Sequence, residues 1–314
     1  MTIYSMRLSA IAIAALLAVG LRDEVAWQSA VTSIGFGHYL LSMWYARARL
    51  SGLGGDWATA VPTLGAVVLG SAAYLIGFPL ILYFAAHHVC NETYIVAGAS
   101  DGLPPQRRRL LRGTSIVLHG LLYFTLLRSE FGEALLRRGA IDSLAAIQQP
   151  PLYFFAPLAL AYVAYGAALW LARGELSRRS LLELSIVEAA GLGLAAVSYF
   201  TPIRFLDVVC YHFVFWWFFP ASKLAAGGVG PVVRYAAWMA VLVGATFLLS
   251  PAVLPDYPFR DSVYLRQFLL WSHIHITSSF FLSNANPEWI RRWFAPRAAG
   301  AAGAKIGARQ ATGG

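Results

Sequence analysis

Seven histidines punctuate this chain: His38, His87, His88, His119, His212, His273 and His275. Every one falls inside a strongly apolar stretch. An ionisable side chain at membrane depth is costly and marks a functional position by default. Neutral imidazole is also the commonest metal ligand among side chains. The seven are spread over five apolar segments, so a bundle packing those segments together makes a ring of imidazoles that could hold a metal.

Depth sharpens the expectation. In the segments set out below, His38 lies eleven residues in, His88 and His212 nine, His273 ten and His275 twelve. At 1.5 Å per residue each reaches roughly 15 Å, the midplane of a hydrocarbon core about 30 Å thick. Their four segments also run in one direction. His119 sits on an oppositely directed segment, slightly off that level, and reads as an interhelical hydrogen bond.

A histidine set suits iron, zinc, copper or nickel, so donor chemistry alone does not select the metal. Carboxylates fall clearly within apolar segments only at Glu92, Glu183, Glu188 and Asp207. In His87-His88-Val89-Cys90-Asn91-Glu92, His88 and Glu92 share a helix face, so Glu92 is a candidate ligand or a residue that orients one. His273 and His275 diverge on a helix, and one of the two is expected to reach the site. Cys90 and Cys210 read as small apolar filler, with no disulfide framework.

Phe213, Phe215, Trp216, Trp217, Phe218 and Phe219 crowd the helix of His212. Such residues commonly pack or face lipid. Alternatively Phe213, Trp216 and Trp217 line a slot for a long apolar substrate. The histidine boxes of membrane desaturases and the HExxH zinc helix are missing, and the scattered glycines form no phosphate loop.

The elements that must position these residues follow from composition. The chain is 58% hydrophobic and 12% charged, against about 25% charged residues in soluble domains. Apolar runs of spanning length recur from end to end without the period-two alternation of a β-barrel. The expected fold is an all-α polytopic bundle with ten transmembrane helices near 4–20, 27–46, 59–76, 79–98, 113–129, 152–172, 181–200, 203–222, 232–250 and 263–284. The run 59–98 is too long for one crossing, and Gly77-Phe78-Pro79 supplies its break. Residues 1–294 form one domain, and the Ala-, Gly- and Arg-rich tail 295–314 is expected to be disordered.

The formal charge of +9 sits in short loops and reads as a topology signal rather than a nucleic-acid surface. Ten spans put most of the Lys and Arg on one side, which the positive-inside rule makes cytoplasmic, with both termini. The cytoplasmic (inner) membrane is the expected location. The first span resembles a signal peptide in part, but retaining it is the preferred reading.

On these residues the chain resembles the Brp/Blh family of bacterial and archaeal β-carotene-cleaving dioxygenases, over most of its length and in order. Gly35-Phe36-Gly37-His38 is similar to the family's G-x-P-H-G-x-x-D element, with Gly37, Tyr39 and Ser42 in place of proline, glycine and aspartate. His87 with Glu92 is similar to its histidine followed five residues later by an acid. His119-Gly120 matches a His-Gly pair. Tyr199-Phe200-Thr201-Pro202 leading to His212-Phe213-Val214-Phe215-Trp216-Trp217 resembles its aromatic-proline corner and H-F-x-F-x-W helix, and His273 a histidine of its final helix.

The resemblance implies Fe2+ held by His38, His87 or His88, and His212, with O2 added across a polyene double bond to give two aldehydes. The family carries two histidines four residues apart on the H-F-x-F-x-W helix; here the flanking positions are Val208 and Trp216. The missing ligand then falls to Glu92, His273 or His275. The expected function is a membrane iron oxygenase acting on a carotenoid or another isoprenoid or lipid. Its rival is a transporter or proton relay built on the same histidines, whose signature would be broken helices in repeated halves. The chain has one such break and no internal repeat.

Overall fold

The computed structural model describes residues 3–21, 23–50, 57–137, 152–201, 203–255 and 264–282. Among them every regular element is a helix: α1 (Ile3–Gly20), α2 (Glu24–Leu50), α3 (Trp57–Leu75), α4 (Leu80–Ala99), α5 (Pro105–Leu126), α6 (Arg128–Leu136), α7 (Leu152–Ala172), α8 (Arg178–Phe200), α9 (Phe205–Leu224), α10 (Val229–Leu248) and α11 (Arg266–Leu282), with a single 3-10 turn after α9. The expected tail 295–314 lies outside the described residues, as does Pro202 of the aromatic-proline corner.

Nine of these helices coincide, to within a few residues at their ends, with nine of the ten expected segments. The fifth differs. It begins at Pro105, because a proline in a first turn loses no helical hydrogen bond, so the Arg107–Arg109 run lies on the helix rather than in a loop. It ends at Leu126, where the chain bends by 75° into the short α6. Among the described residues five helices are long and apolar enough to cross a membrane: α1, α7, α8, α9 with the turn that follows it, and α10. Counting the bent α5–α6 pair makes six. The histidine-bearing α2, α4 and α11 fall short of that apolarity, since polar side chains directed inward dilute it.

Two glycines set close approaches. A Cβ on Gly70 of α3 would stand 2.7 Å from the Cα of Ile274, so α3 and α11 cross backbone to backbone. A Cβ on Gly35 of α2 would stand 2.6 Å from the rings of both Phe213 (α9) and Phe268 (α11). The break between α3 and α4 needs Gly77, at φ +64°, where a side chain would be strained.

Polar rivets fix the register of α11. Tyr264 Oη lies 2.8 Å from Thr32 Oγ1 and 2.7 Å from Ser33 Oγ, Tyr39 Oη 2.6 Å from Ser272 Oγ, and Tyr83 Oη bonds Thr277 Oγ1. The start of α9 is tied by the Arg204 N–H donating to Asp207 Oδ2 at 3.0 Å, the Phe205 N–H donating to Glu130 at 2.7 Å, and Arg204 pairing with Glu24 of α2 at 2.7 Å. Asp207 therefore serves as a helix cap. Glu183 pairs with Arg179 one turn earlier.

A buried histidine cluster as candidate metal centre

Four helices bring histidines to one place. From α2 comes His38, from α9 His212, from α11 His275, and from α4 the adjacent His87 and His88. One nitrogen from each of His38, His212 and His275 can be chosen so that all three lie within 4.8 Å of one another. His38 Nε2 and His275 Nε2 are 3.1 Å apart. The ring of His212 lies 5.3 Å from that of His38, 5.1 Å from that of His87 and 4.4 Å from that of His88. His38, His87, His88 and His212 are buried, and His275 is partly buried.

Neighbouring hydroxyls decide which nitrogens face inward. Ser42 Oγ donates to the Tyr39 carbonyl at 2.7 Å, so at 3.2 Å from His275 Nδ1 it accepts the ring proton. That leaves the lone pair of His275 on Nε2, facing His38. In the same way Ser279 Oγ donates to the Ile276 carbonyl at 2.7 Å and accepts from His87 Nδ1 at 2.8 Å. The lone pair of His87 on Nε2 is met by the Asn91 amide at 3.2 Å. His38 Nδ1 and His88 Nε2 are buried with no hydrogen-bond partner among the described residues.

The donor set fits a metal. Metal–nitrogen bonds of about 2.1 Å put neighbouring ligand nitrogens about 3.0–3.4 Å apart and opposite ones at most about 4.2 Å apart. The His38–His275 pair already meets this range, and a pair at the 4.8 Å limit would have to close by about 0.6 Å to sit on opposite sides of an ion and by more than about 1 Å to sit as neighbours. Hydrogen bonds from Nδ1 to a fixed acceptor orient ligating rings in established metal sites, and Ser42 occupies that place here. Beside His87, His212 and His275 lies a cavity of about 20 Å³, also walled by Tyr39, Phe84 and Phe213. It holds about one water-sized molecule.

The other candidates are placed elsewhere. His273 directs Nδ1 at the Leu269 carbonyl (2.8 Å) and Nε2 at the Phe78 carbonyl (3.1 Å), fastening α11 to the break between α3 and α4. Of the two histidines on α11, His275 therefore reaches the cluster and His273 does not. Glu92 points away from the cluster to pair with Arg7 of α1, beside His119, whose Nε2 lies 3.2 Å from Glu188. Of the aromatic slot residues, Phe213 walls the small cavity, while Trp216 is half-buried with its ring 6.3 Å from that of His212. Trp217 lies under Gly37 of α2. Among these three there is no opening of polyene size. Cys90 and Cys210 are unpaired.

Sequence reasoning missed Arg7, which reads as a boundary charge yet is 4% exposed. The unmatched mid-helix carboxylates Glu92 and Glu188 were the signal that a buried cation had to exist.

Described residues whose regular elements are all helices, several of them apolar and of spanning length, with an imidazole cluster between them, have the character of a multi-pass membrane protein. No family model, curated protein or solved structure matches the chain.

Proposed function

We propose that the protein is a membrane-embedded metalloenzyme, a histidine-ligated iron oxygenase acting on a carotenoid or another isoprenoid or lipid. In this reading it crosses the inner membrane ten times with both termini in the cytoplasm. One observation carries the metal site: imidazoles from three helices converge, with a serine holding the His275 proton away from the shared centre. His38, His212 and His275 would hold the ion, with His87 and His88 adjacent. Iron there would supply O2 binding and activation. The resemblance around His38 and His212 supports iron over the other metals that imidazole suits.

The chain's own residues do the rest. Ser42 and Ser279 hold the ring protons on Nδ1 of His275 and His87. Phe84, Phe213 and Tyr39 exclude bulk water from the small cavity, which leaves room for one diatomic beside the histidines. Exclusion of water strengthens every electrostatic interaction inside and suppresses side reactions.

A proton relay or transporter is the second reading. It is favoured by the contact of His88 Nδ1 with Tyr123 Oη at 2.7 Å, which joins the cluster to a second buried polar group. Metal analysis of the detergent-purified protein tests the choice. About one equivalent of a transition metal, lost on substitution of His38, supports the enzyme; metal-free protein moves the reading to the relay.

A further inference from the structure

A second cavity, of about 330 Å³, lies between α1, α5, α8 and α9, on the other side of Tyr123 from the histidine cluster. This is the size range of small-molecule pockets, roughly 300–1,000 Å³. One face of α1 runs along it from Arg7 through Ala14 and Ala18 to Val19, about 18 Å of helix rise. The chamber is therefore long as well as apolar. Val19 of α1 and Val197 of α8 line it while 71% and 53% exposed. Its mouth thus lies between two of the most apolar helices, with Thr201 and Asp207 also on the lining, and a ligand entering between those helices would come from the lipid phase.

The opposite end is charged. Arg7, Glu92, His119 and Glu188 all line the cavity, and all are buried. Arg7 pairs with Glu92 and donates from Nε to Tyr211 Oη at 3.3 Å. His119 Nδ1 lies 2.8 Å from the Ser115 carbonyl, and Nε2 lies 3.2 Å from Glu188 and 3.7 Å from Glu92. The Ser115 hydroxyl lies 3.1 Å from Nδ1 as well. Each of these groups therefore already has its partner within the cluster. A buried charge without a partner is strongly unfavourable, so a ligand bringing one of its own is rejected. A hydroxyl is matched: it donates to a carboxylate and accepts from Arg7 or His119 at the same wall.

We infer that this cavity binds a long apolar chain ending in a hydroxyl group, its tail along α1 and its head at the Arg7–Glu92–His119–Glu188 cluster. The inference rests on the walls of this cavity alone and needs no metal at the histidines.

The test is photolabelling of the full-length, metal-stripped protein in detergent micelles with a diazirine-bearing hexadecanol, the labelled peptides being read by mass spectrometry. Label should fall on α1 and α8 near Ala18 and Val197. Hexadecanol should compete at least tenfold better than hexadecanoic acid or hexadecylamine. Ala18→Trp, which fills the chamber without touching the charged end, should abolish that labelling. In the double variant Glu92→Gln, Glu188→Gln, Arg7 cannot lose its proton and stands without a counter-charge, so the acid should become the best competitor. Equal competition by alcohol, acid and amine in the unaltered protein, or labelling unaffected by Ala18→Trp, overturns the inference. So does an unchanged preference in a double variant that still folds.

Discussion

His38 Nε2 stands 3.1 Å from His275 Nε2, across a gap between two helices that are 237 residues apart in sequence. Two imidazoles that close either share one proton or share an ion. Ser42 accepts the hydrogen bond from His275 Nδ1–H, so a proton shared across this gap would be donated by His38.

The metal is the first expected outcome. Protein purified in detergent should carry about one equivalent of a transition metal, iron on the present reading. His38→Ala, His212→Ala and His275→Ala should each deplete it while the protein still inserts. His273→Ala should leave the metal content per folded molecule unchanged, since that ring serves backbone carbonyls. Full retention in both His38→Ala and His212→Ala, by elemental analysis, would sink the site.

Ser42 gives a subtler expectation. Ser42→Ala removes the acceptor for His275 Nδ1–H without touching a ligand. Loss of such an orienting partner typically weakens metal binding by about tenfold to a hundredfold. Competition against a chelator of known affinity measures it. Ser42→Thr, which keeps the hydroxyl, should restore most of the affinity.

Much of this site was legible in advance, and the reasons differ from residue to residue. His38, His87, His88 and His212 stand out because depth follows from counting residues along a helix. The choice between His273 and His275 was not legible. It depends on the rotational phase of α11, which Tyr264, Ser272 and Thr277 set through partners on α2 and α4. Glu92 seemed to belong with His88 because the two share a helix face. Its direction is decided instead by Arg7, and no local pattern joins residue 7 to residue 92. The long helices other than α5 follow from apolar run length, but the bend after Leu126 has no proline or glycine to announce it.

Packing supplies another test. Gly70→Ala places a methyl group against the Ile274 backbone, which cannot rotate aside as a side chain can. Overpacking of this kind typically destabilises by about 1–3 kcal/mol. The melting temperature in detergent should fall, and metal content should fall with it, because α11 carries His275. Gly98→Ala, where nothing lies within 4 Å of the added Cβ, is the matched control and should leave both unchanged.

Topology can be read directly. Reporter fusions after Arg109 and after Arg179 should both signal cytoplasm if ten spans and cytoplasmic termini hold. A periplasmic signal at either position would overturn the span count.

Activity separates the two functional readings. In cells that accumulate β-carotene, expression should bleach the pigment and yield retinal, with a requirement for oxygen, and His38→Ala should abolish the effect. Unchanged carotenoid with a metal-loaded protein would reject this substrate and leave oxidation of another lipid.

The hydrogen bond between His88 Nδ1 and Tyr123 Oη has one more consequence. Tyr123 walls the larger cavity, and His88 packs on the ring of His212, which walls the smaller one, so a proton-bearing contact connects the walls of the two chambers. Any coupling between occupants of the two chambers has a physical route through that contact. If a metal on the histidines alters the affinity of the larger cavity for its guest by some factor, the guest must alter the affinity for the metal by the same factor. A titration in either chamber therefore measures the conversation in both directions.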